Sequence, residues 1–346
     1  MSVQADMPAK WIGPFLTPDQ DAVRDLVDQV AATNFAVAVS GRRPALRASR
    51  AVLAEHGLWS VGWLEELGGG GADQSGQALV LMRVAAEWPA AAVAAAQVYA
   101  VGAVAESAVI PVQTITAIAT GERPVAVVDL EDRQAITGGA PFAMQVREAR
   151  VNAVEPDASD LLVLVDRHRV AYVAHEDVEM VAPMPVCGLD GGPCSVVRFG
   201  PLSPVEGLDV DEVRRRLAVG LTAVAAGIAQ AAYSATYSYT RERVQFGAPL
   251  AALATMQQTL FDQLSATLLA VTAALSEVGT ALHASALLDR SVSASLEVTE
   301  RAVQAHGGYG YLAEYRVEAM FRDAVSLQGV ADTGRFRRAR GEDIAM

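Results

Sequence analysis

The sequence predicts a mostly α-helical α+β protein in which two helical regions enclose a small β domain. Three observations support this fold class. Apolar residues recur at helical spacing before about residue 120, short β-branched runs follow, and long helical patterns fill the rest of the chain. We therefore predict an N-terminal helical domain at 1–120, a middle β domain at 121–207 and a C-terminal long-helix bundle at 208–346.

The composition limits the classes of function. A net charge of −13 argues against a nucleic-acid partner, because phosphate binding needs a basic surface. Alanine, a good helix former, explains much of the apolar content, and no run of about 18 bulky apolar residues predicts a membrane-spanning helix. Cys187 and Cys194 lack metal-ligand spacing, and no histidine has a partner at such spacing. From this spacing we expect no bound metal. The chain starts without a signal-peptide pattern, so we expect a cytoplasmic protein.

The N-terminal region contains clear helix boundaries. Thr17 is a good N-cap and Pro18 suits the first helical position. A second helix is predicted over 43–56, and Gly57 ends it. The four glycines at 68–71 follow no strand and precede no Walker lysine, so they predict a flexible loop rather than a phosphate-binding loop.

The middle and C-terminal regions differ in their periodicity. Short runs separated by Gly, Pro and Asp predict a small antiparallel β domain, with strands at 125–128, 161–165, 170–173 and 195–199. Long helices are then predicted at 210–244, 250–288 and 291–306. Helices of this length indicate a bundle that also packs against other subunits.

Two stretches of the C-terminal region resemble one family. Residues 239–250, YTRERVQFGAPL, are similar to the acyl-CoA dehydrogenase signature Y-x-x-x-R-x-x-F-G-x-P-[IL]. Residues 304–324 begin QAHGGYGY, continue with an EY pair and end in FRDA, which resembles the same family's Q-x-x-G-G-x-G-[FY]-x-x-E-Y…RDA segment. Weaker echoes at 57–69 and 226–230 extend the resemblance over most of the chain.

This resemblance implies FAD as the cofactor and the α,β-dehydrogenation of an acyl-CoA thioester, with an electron-transfer flavoprotein or a similar acceptor. It implies that Arg243 reaches the FAD of a neighbouring subunit, and a forked, always-charged guanidinium suits a diphosphate. Phe246 belongs to the same motif. Gln304, Gly307 and Gly308 resemble the residues that line the adenosine and pyrophosphate end of the cofactor, where glycine permits close approach.

The chain departs from the family at its catalytic base. Removing the weakly acidic α-proton needs a placed carboxylate, which most members carry in a Y-E-G-T turn soon after RDA. That turn aligns with 330–333, where Thr333 matches the threonine but Ala331 occupies the glutamate position. Other members place the glutamate on the first long C-terminal helix, at about Leu217 here. Asp332, beside Ala331, is a weak candidate for a base.

A second departure concerns the family's T-E-P-x-x-G-S-D stretch, which contacts flavin and substrate and has no counterpart near 127–140. Three hypotheses about the function follow from these departures. The chain thus resembles the shorter, degenerate subunit of bacterial α2β2 acyl-CoA dehydrogenases, in which a longer partner supplies the glutamate and the substrate is a bulky, for example steroid-derived, acyl-CoA. The alternatives are a self-sufficient homo-oligomeric dehydrogenase whose base is Asp332 or Asp323, and a non-catalytic scaffold or other flavin chemistry on the same fold.

Overall fold

A computed structural model describes residues 11–34, 46–130, 136–138, 147–152, 155 and 158–332. Helices, then strands, then long helices follow one another along the chain, which confirms the predicted fold class. Among these described residues, five helices precede the first strand: α1 (Pro18–Asn34), α2 (Leu46–Glu55), α3 (Gln74–Glu87), α4 (Pro89–Val101) and α5 (Val112–Ala119).

The ends of the first two helices follow the local sequence. The Thr17 hydroxyl accepts a hydrogen bond from the Gln20 backbone N–H at 3.2 Å, and the Gln20 side chain accepts one from the Thr17 N–H at 2.9 Å. This reciprocal pair is a capping box. After α2, the Gly57 backbone takes a left-handed φ of 69°, and the Leu58 N–H bonds back to the Leu53 carbonyl at 2.7 Å. Glycine at that position therefore ends the helix.

The structure confirms the predicted loop at residues 68–71 and shows that its backbone is packed against neighbouring residues. A Cβ added at Gly69 would lie 2.2 Å from the carbonyl oxygen of the buried Trp63, so this backbone is packed directly against its neighbour. Gly68 and Gly71 have φ values of 85° and 65°. The glycines are needed here because the turn is tight and packed.

The middle region forms two four-stranded sheets whose facing sides pack into a separate apolar core. One sheet has the order β1-β4-β5-β8 and the other β2-β3-β7-β6. The strands are β1 (Val125–Asp129), β2 (Ile136–Gly138), β3 (Arg147–Asn152), β4 (Asp160–Leu164), β5 (Arg169–Val173), β6 (Val178–Met184), β7 (Cys194–Phe199) and β8 (Val205–Glu206).

One strand pair contradicts the prediction of a purely antiparallel β domain. β1 pairs with β4 in parallel, with Val125 opposite Asp160 and Asp129 opposite Leu164. The chain leaves β1, passes through β2 and β3 in the other sheet, and returns to run beside β1 in the same direction. Parallel neighbours require a crossover of this kind.

The described part of the C-terminal region, up to residue 332, is a bundle of four helices: α6 (Val210–Glu242), α7 (Ala254–Leu275), α8 (Ala281–His306) and α9 (Val317–Ala331). A short hairpin, β9 (Val244–Gln245) with β10 (Ala248–Pro249), separates α6 from α7. The prediction of one helix over 250–288 is wrong. The Thr280 hydroxyl accepts a hydrogen bond from the His283 N–H at 3.2 Å, which caps a new helix after the break.

The helix α6 is the central element and packs against α3, α4, α7, α8 and α9. Among the described helices it alone is long and apolar enough to cross a membrane, but 78% of its most apolar window is buried inside the protein. That degree of burial is typical of the core helix of a bundle.

Candidate functional site

The two C-terminal motifs meet in a cluster of four aromatic side chains, which we call the aromatic cluster. Tyr239 of α6 stacks on His306 at the end of α8, with ring centroids 4.1 Å apart and an interplanar angle of 21°. Tyr315 packs edge-on against both rings at 5.7 and 5.8 Å, and Tyr309 lies 5.5 Å from Tyr315. These contacts fix the Gly-Gly-Tyr-Gly segment against the end of α6.

His306 is a structural member of this cluster. Its Nδ1 lies 2.8 Å from the Ala302 carbonyl oxygen, and burial lowers the pKa of the imidazole below its usual value. The ring is therefore neutral at neutral pH and donates its Nδ1 proton to that carbonyl. Within the described residues no group of three His, Cys, Asp or Glu side chains can hold a metal ion.

Arg243 lies on the outer side of the aromatic cluster, at the residue that ends α6. Its guanidinium carbon is 5.2 Å from the centroid of the Tyr309 ring, a cation–π contact that holds the side chain in place. The Nε atom of Arg243 is buried and has no hydrogen-bond partner among the residues that the structure describes. The Arg243 side chain forms no hydrogen bond or ion pair within the described residues, so the donors on its Nη atoms are available to an acceptor outside the chain.

The β9–β10 hairpin exposes an aromatic ring at its tip. Phe246 and Gly247 form its two-residue turn with φ values of 53° and 82°, the conformation that matches the twist of paired strands. The Phe246 side chain is 89% exposed. Positive φ is uncommon for phenylalanine, which makes this turn a candidate functional feature of the hairpin.

The glycine pair after α8 is open to solvent. Gly307 has φ 58° and ψ −136°, a conformation that essentially only glycine adopts. A Cβ added at Gly307 or Gly308 would meet nothing within 4 Å, so packing inside the chain does not explain the second glycine. Gln304 is exposed one turn earlier on α8. A side-chain-free backbone beside a polar amide suits the close approach of an external group.

These features form one surface, which we call the outward surface: Arg243, Phe246, Gln304, Gly307 and Gly308. The chemistry of this donor set fits the diphosphate end of a dinucleotide such as FAD, because a half-buried guanidinium held against Tyr309 is followed on the same surface by an open glycine backbone. Thr333, the remaining residue of the predicted cofactor set, lies outside the described residues.

A second feature is a crevice between the middle β domain and the bundle. Its volume is about 80 Å³, and its lining includes both positions where a family glutamate is expected, Leu217 and Ala331. The structure thus brings together two positions that lie more than a hundred residues apart in the chain. Neither position carries a carboxylate, and the charged residues of the crevice wall are Asp129, Arg150, Arg214 and Asp332.

An ion pair joins the two sides of this crevice. Arg214 of α6 bonds to Asp129 at the end of β1 through two parallel contacts, Nε–Oδ2 at 2.9 Å and Nη2–Oδ1 at 3.1 Å. The two side chains are 4% and 15% exposed. Sequence reasoning missed this pair. The available signal was a carboxylate, Asp129, directly after an apolar run, together with the arginine run that begins at Arg214 near the start of α6.

Further contacts bind the crevice walls together. Arg150 of β3 donates a hydrogen bond to the Gly329 carbonyl of α9 at 3.1 Å. Gln97 of α4 bonds to the Asn152 carbonyl at 3.0 Å and accepts from the Val127 N–H at 3.1 Å. Every residue of α4 is buried. The described residues therefore leave little room for a ligand beside α4.

The carboxylates near the crevice have different roles. Asp323 is buried and accepts a hydrogen bond from the Leu189 N–H at 2.6 Å, so it holds the chain before β7 against α9. Asp332 ends α9 with a φ of 37°, and its Oδ2 is buried without a partner among the described residues. Of the two alternative bases that the sequence suggests, only Asp332 lines the crevice.

Glu212, about one turn before Leu217 on α6, is held by two arginines. Its carboxylate lies 2.6 Å from Arg215 and 2.7 Å from Arg216. Burial opposes ionisation of Glu212, but the hydrogen bonds from these arginines outweigh burial and lower its pKa. A carboxylate of this kind is a poor proton acceptor.

The fold over the described chain is that of the acyl-CoA dehydrogenases. One chain of the ChsE4–ChsE5 complex from Mycobacterium tuberculosis superposes with a TM-score of 0.74 at 19% identity, covering 96% of this chain and 98% of that one. Butyryl-CoA dehydrogenase from Megasphaera elsdenii gives a TM-score of 0.72 at 17% identity, covering 91% of this chain and 94% of that one.

Sequence comparison agrees over the C-terminal region. Residues 214–330 match the family described as acyl-CoA dehydrogenase, C-terminal domain. The acryloyl-CoA reductase (NADH) of Anaerotignum propionicum is 39% identical over 114 residues, which are 31% of this chain and 29% of that protein. Both comparisons support an acyl-CoA dehydrogenase C-terminal domain at residues 214–330, and the members of that family are FAD-dependent flavoproteins.

Proposed function

We propose that this chain is a subunit of a hetero-oligomeric acyl-CoA dehydrogenase that contributes contacts to FAD, while a longer partner subunit supplies the catalytic glutamate. One observation carries the proposal. The outward surface has spare donor capacity and an open glycine backbone, whereas the chain's own crevice measures about 80 Å³ and is spanned by the Arg214–Asp129 ion pair. Ligand pockets of drug-sized molecules occupy roughly 300–1,000 Å³.

The chemistry of the reaction explains why a partner is needed. A base takes the α-proton of the acyl-CoA thioester, and FAD, when bound, supplies the acceptor for the hydride that leaves the β-carbon. Leu217 and Ala331 cannot take up a proton. Hydrogen bonds from Arg215 and Arg216 lower the pKa of Glu212, so this carboxylate is a poor proton acceptor. The glutamate therefore comes from another chain in this proposal.

The residues of the outward surface have distinct tasks in the assembled enzyme. The guanidinium of Arg243 binds the diphosphate of the partner's FAD through charge-assisted hydrogen bonds. The open backbone at Gly307 and Gly308 admits the cofactor closely, and Phe246 packs into the partner. The heteromeric ChsE4–ChsE5 complex supports such an assembly on this fold. We assign a bulky acyl-CoA as the substrate class and an electron-transfer flavoprotein, or a similar protein, as the electron acceptor.

The test is a visible absorption spectrum of the purified chain, alone and then co-expressed with a longer acyl-CoA dehydrogenase encoded beside it. We expect a colourless chain alone, and a yellow complex that acyl-CoA bleaches. A chain that alone carries one flavin per subunit, and loses its colour with acyl-CoA, would contradict the heteromeric assignment.

A second candidate function rests on Asp332. Because Asp332 lines the crevice and its Oδ2 has no partner among the described residues, it is the one carboxylate placed to act as a base in a self-sufficient dehydrogenase. In that case Asp332→Asn would lower kcat by about 10²- to 10⁴-fold while flavin stays bound. Under the heteromeric proposal, Asp332→Asn changes kcat of the complex by no more than a few-fold relative to the wild type.

A further inference from the structure

Arg243 is held in a different way from the arginine of the crevice. Arg214 is paired with the carboxylate of Asp129 at 2.9 Å, which uses its donors and offsets its charge. Arg243 has no ion pair and no side-chain hydrogen bond within the described residues, and the Tyr309 ring lies 5.2 Å from its guanidinium carbon. The face of a ring attracts a guanidinium but takes none of its N–H donors as an acceptor would. The ring therefore holds the group without consuming the donors on its Nη atoms.

The backbone that carries Tyr309 is fixed against the bundle. Tyr309 lies in the short helical segment Gly307–Tyr311, which follows α8 directly. Gly310 is buried, and a Cβ added there would lie 2.5 Å from the Val303 carbonyl oxygen, so the segment is in close backbone contact with α8. The Leu312 N–H donates to the Tyr309 carbonyl at 3.0 Å. Only glycine fits at Gly310, and it places the tyrosine at a set position on the surface.

The Tyr309 ring is supported from behind by the aromatic cluster. Its centroid is 5.5 Å from that of Tyr315, which packs edge-on against Tyr239 and His306 at 5.7 and 5.8 Å. Tyr239 is on α6, one turn before Arg243. The cluster thus joins the helix that carries the arginine to the segment that carries the tyrosine, and it fixes the distance between them.

We propose that Tyr309 is a positioning residue, which orients the Arg243 guanidinium for the diphosphate of FAD and leaves its outer donors free. This inference rests on the proposed function for the identity of the ligand. Ordering a long side chain on binding costs free energy, and a guanidinium that is already held by a ring avoids part of that cost. A carboxylate in place of Tyr309 would hold the arginine equally well but would compete with the diphosphate.

The first test measures FAD release on dilution of the yellow complex. We expect Tyr309→Leu to weaken FAD retention about three- to tenfold, and Tyr309→Phe to stay within about twofold of the wild type because it keeps the ring. The matched control is Tyr237→Leu, since Tyr237 makes the same contact with Arg241 at 5.2 Å and is 39% exposed against 41% for Tyr309. Equal losses for the Phe and Leu variants, or for the control, would overturn the proposal.

A double-mutant comparison separates positioning from a direct contact with the cofactor. If Tyr309 acts through Arg243, Tyr309→Leu should cause no further loss of FAD retention in a protein that already carries Arg243→Ala. The same fold-loss in both backgrounds would show that the ring acts independently of the arginine, which contradicts the positioning role.

A second measurement needs neither flavin nor a partner. NMR relaxation of the Arg243 Nε–Hε group in the full-length chain alone reports how well the side chain is ordered. We expect this order to fall in Tyr309→Leu and to be retained in Tyr309→Phe. An equally ordered Arg243 in Tyr309→Leu overturns the proposal, whatever the flavin does. A wild-type complex without flavin contradicts the proposed function alone, and the order of Arg243 then decides whether Tyr309 positions it.

Discussion

The outward surface has open positions and unpaired donors, whereas the crevice is narrow and its walls are tied together. Both sites were predicted from one family resemblance. In the outward surface, glycines stand where nothing in the chain fills the space, and Arg243 keeps a buried Nε without a partner among the described residues. In the crevice, the positions of the expected glutamates are apolar and the walls are tied by the Arg214–Asp129 pair. Under the heteromeric proposal, this chain keeps the residues that would serve another subunit and lacks those that would serve a site of its own.

The largest effect is expected at the crevice, where Arg214→Ala should destabilise the protein by about 3–5 kcal/mol. The substitution removes the guanidinium partner of a largely buried carboxylate, Asp129. Urea unfolding followed by circular dichroism measures the change. The control is Arg24→Ala, whose partners Asp21 and Asp25 are more exposed, with an expected loss below about 1 kcal/mol. Equal losses for the two variants would remove the structural role that we assign to the pair.

The next effect is expected at the outward surface, where Arg243→Ala should weaken FAD retention by the assembled complex about 10- to 100-fold. The estimate follows from the loss of a hydrogen bond to a charged group. The measurement is flavin fluorescence released on dilution of the yellow complex. Arg241→Ala, at the same helix end, is the control, since Arg241 contacts Tyr237 rather than the aromatic cluster. A similar loss in both variants would point to general charge rather than to Arg243.

A smaller effect is expected at the hairpin tip, where Phe246→Ala should weaken binding to the partner subunit about tenfold and change the unfolding free energy by less than about 0.5 kcal/mol. The ring is 89% exposed in the single chain, so its removal disturbs little inside it. Phe15→Ala removes another fully exposed ring, remote in sequence, and serves as the control. Surface plasmon resonance with the partner subunit distinguishes the two; an unchanged affinity for Phe246→Ala excludes the hairpin from the interface.

The smallest effect concerns pH and the aromatic cluster. Burial lowers the pKa of His306, so the unfolded chain binds a proton more readily than the folded chain below about pH 6.5. The contribution of a neutral His306 is present above that pH and is lost as the pH falls, by at most about 1.4 kcal/mol per pH unit. We expect His306→Gln to flatten the decline in stability from pH 7.5 to 5.5. A decline as steep in His306→Gln as in the wild type would assign the pH dependence to other groups.

The outward surface was predictable from the sequence because its signals are local. Arginine, phenylalanine and glycine at fixed spacing identify it, and the structure adds that Arg243 and Tyr309 are in contact. The sequence predicted one feature of the crevice, the absence of a glutamate at Leu217 and Ala331. Arg214 and Asp129 are 85 residues apart and belong to different regions, so no local pattern reports their contact.

The errors in the fold have a similar origin. The apolar periodicity of α7 and α8 continues across residues 276–280, and the break is set by a side-chain cap at Thr280 that periodicity does not report. The parallel pairing of β1 with β4 depends on which sheet receives β2 and β3, which is decided by packing between the sheets. Helix ends with a capping box or a glycine, as at Thr17 and Gly57, were predictable because their causes lie within four residues.

The Arg214–Asp129 pair also limits how this protein could be re-engineered. Replacing Ala331 with glutamate would add a third carboxylate to a crevice that already contains Asp129 and Asp332, without enlarging it. A working site would need coordinated changes on β1, α6 and α9, because the ion pair joins two of these elements across the crevice. The single substitution Ala331→Glu would therefore supply a carboxylate without making room for a substrate beside it.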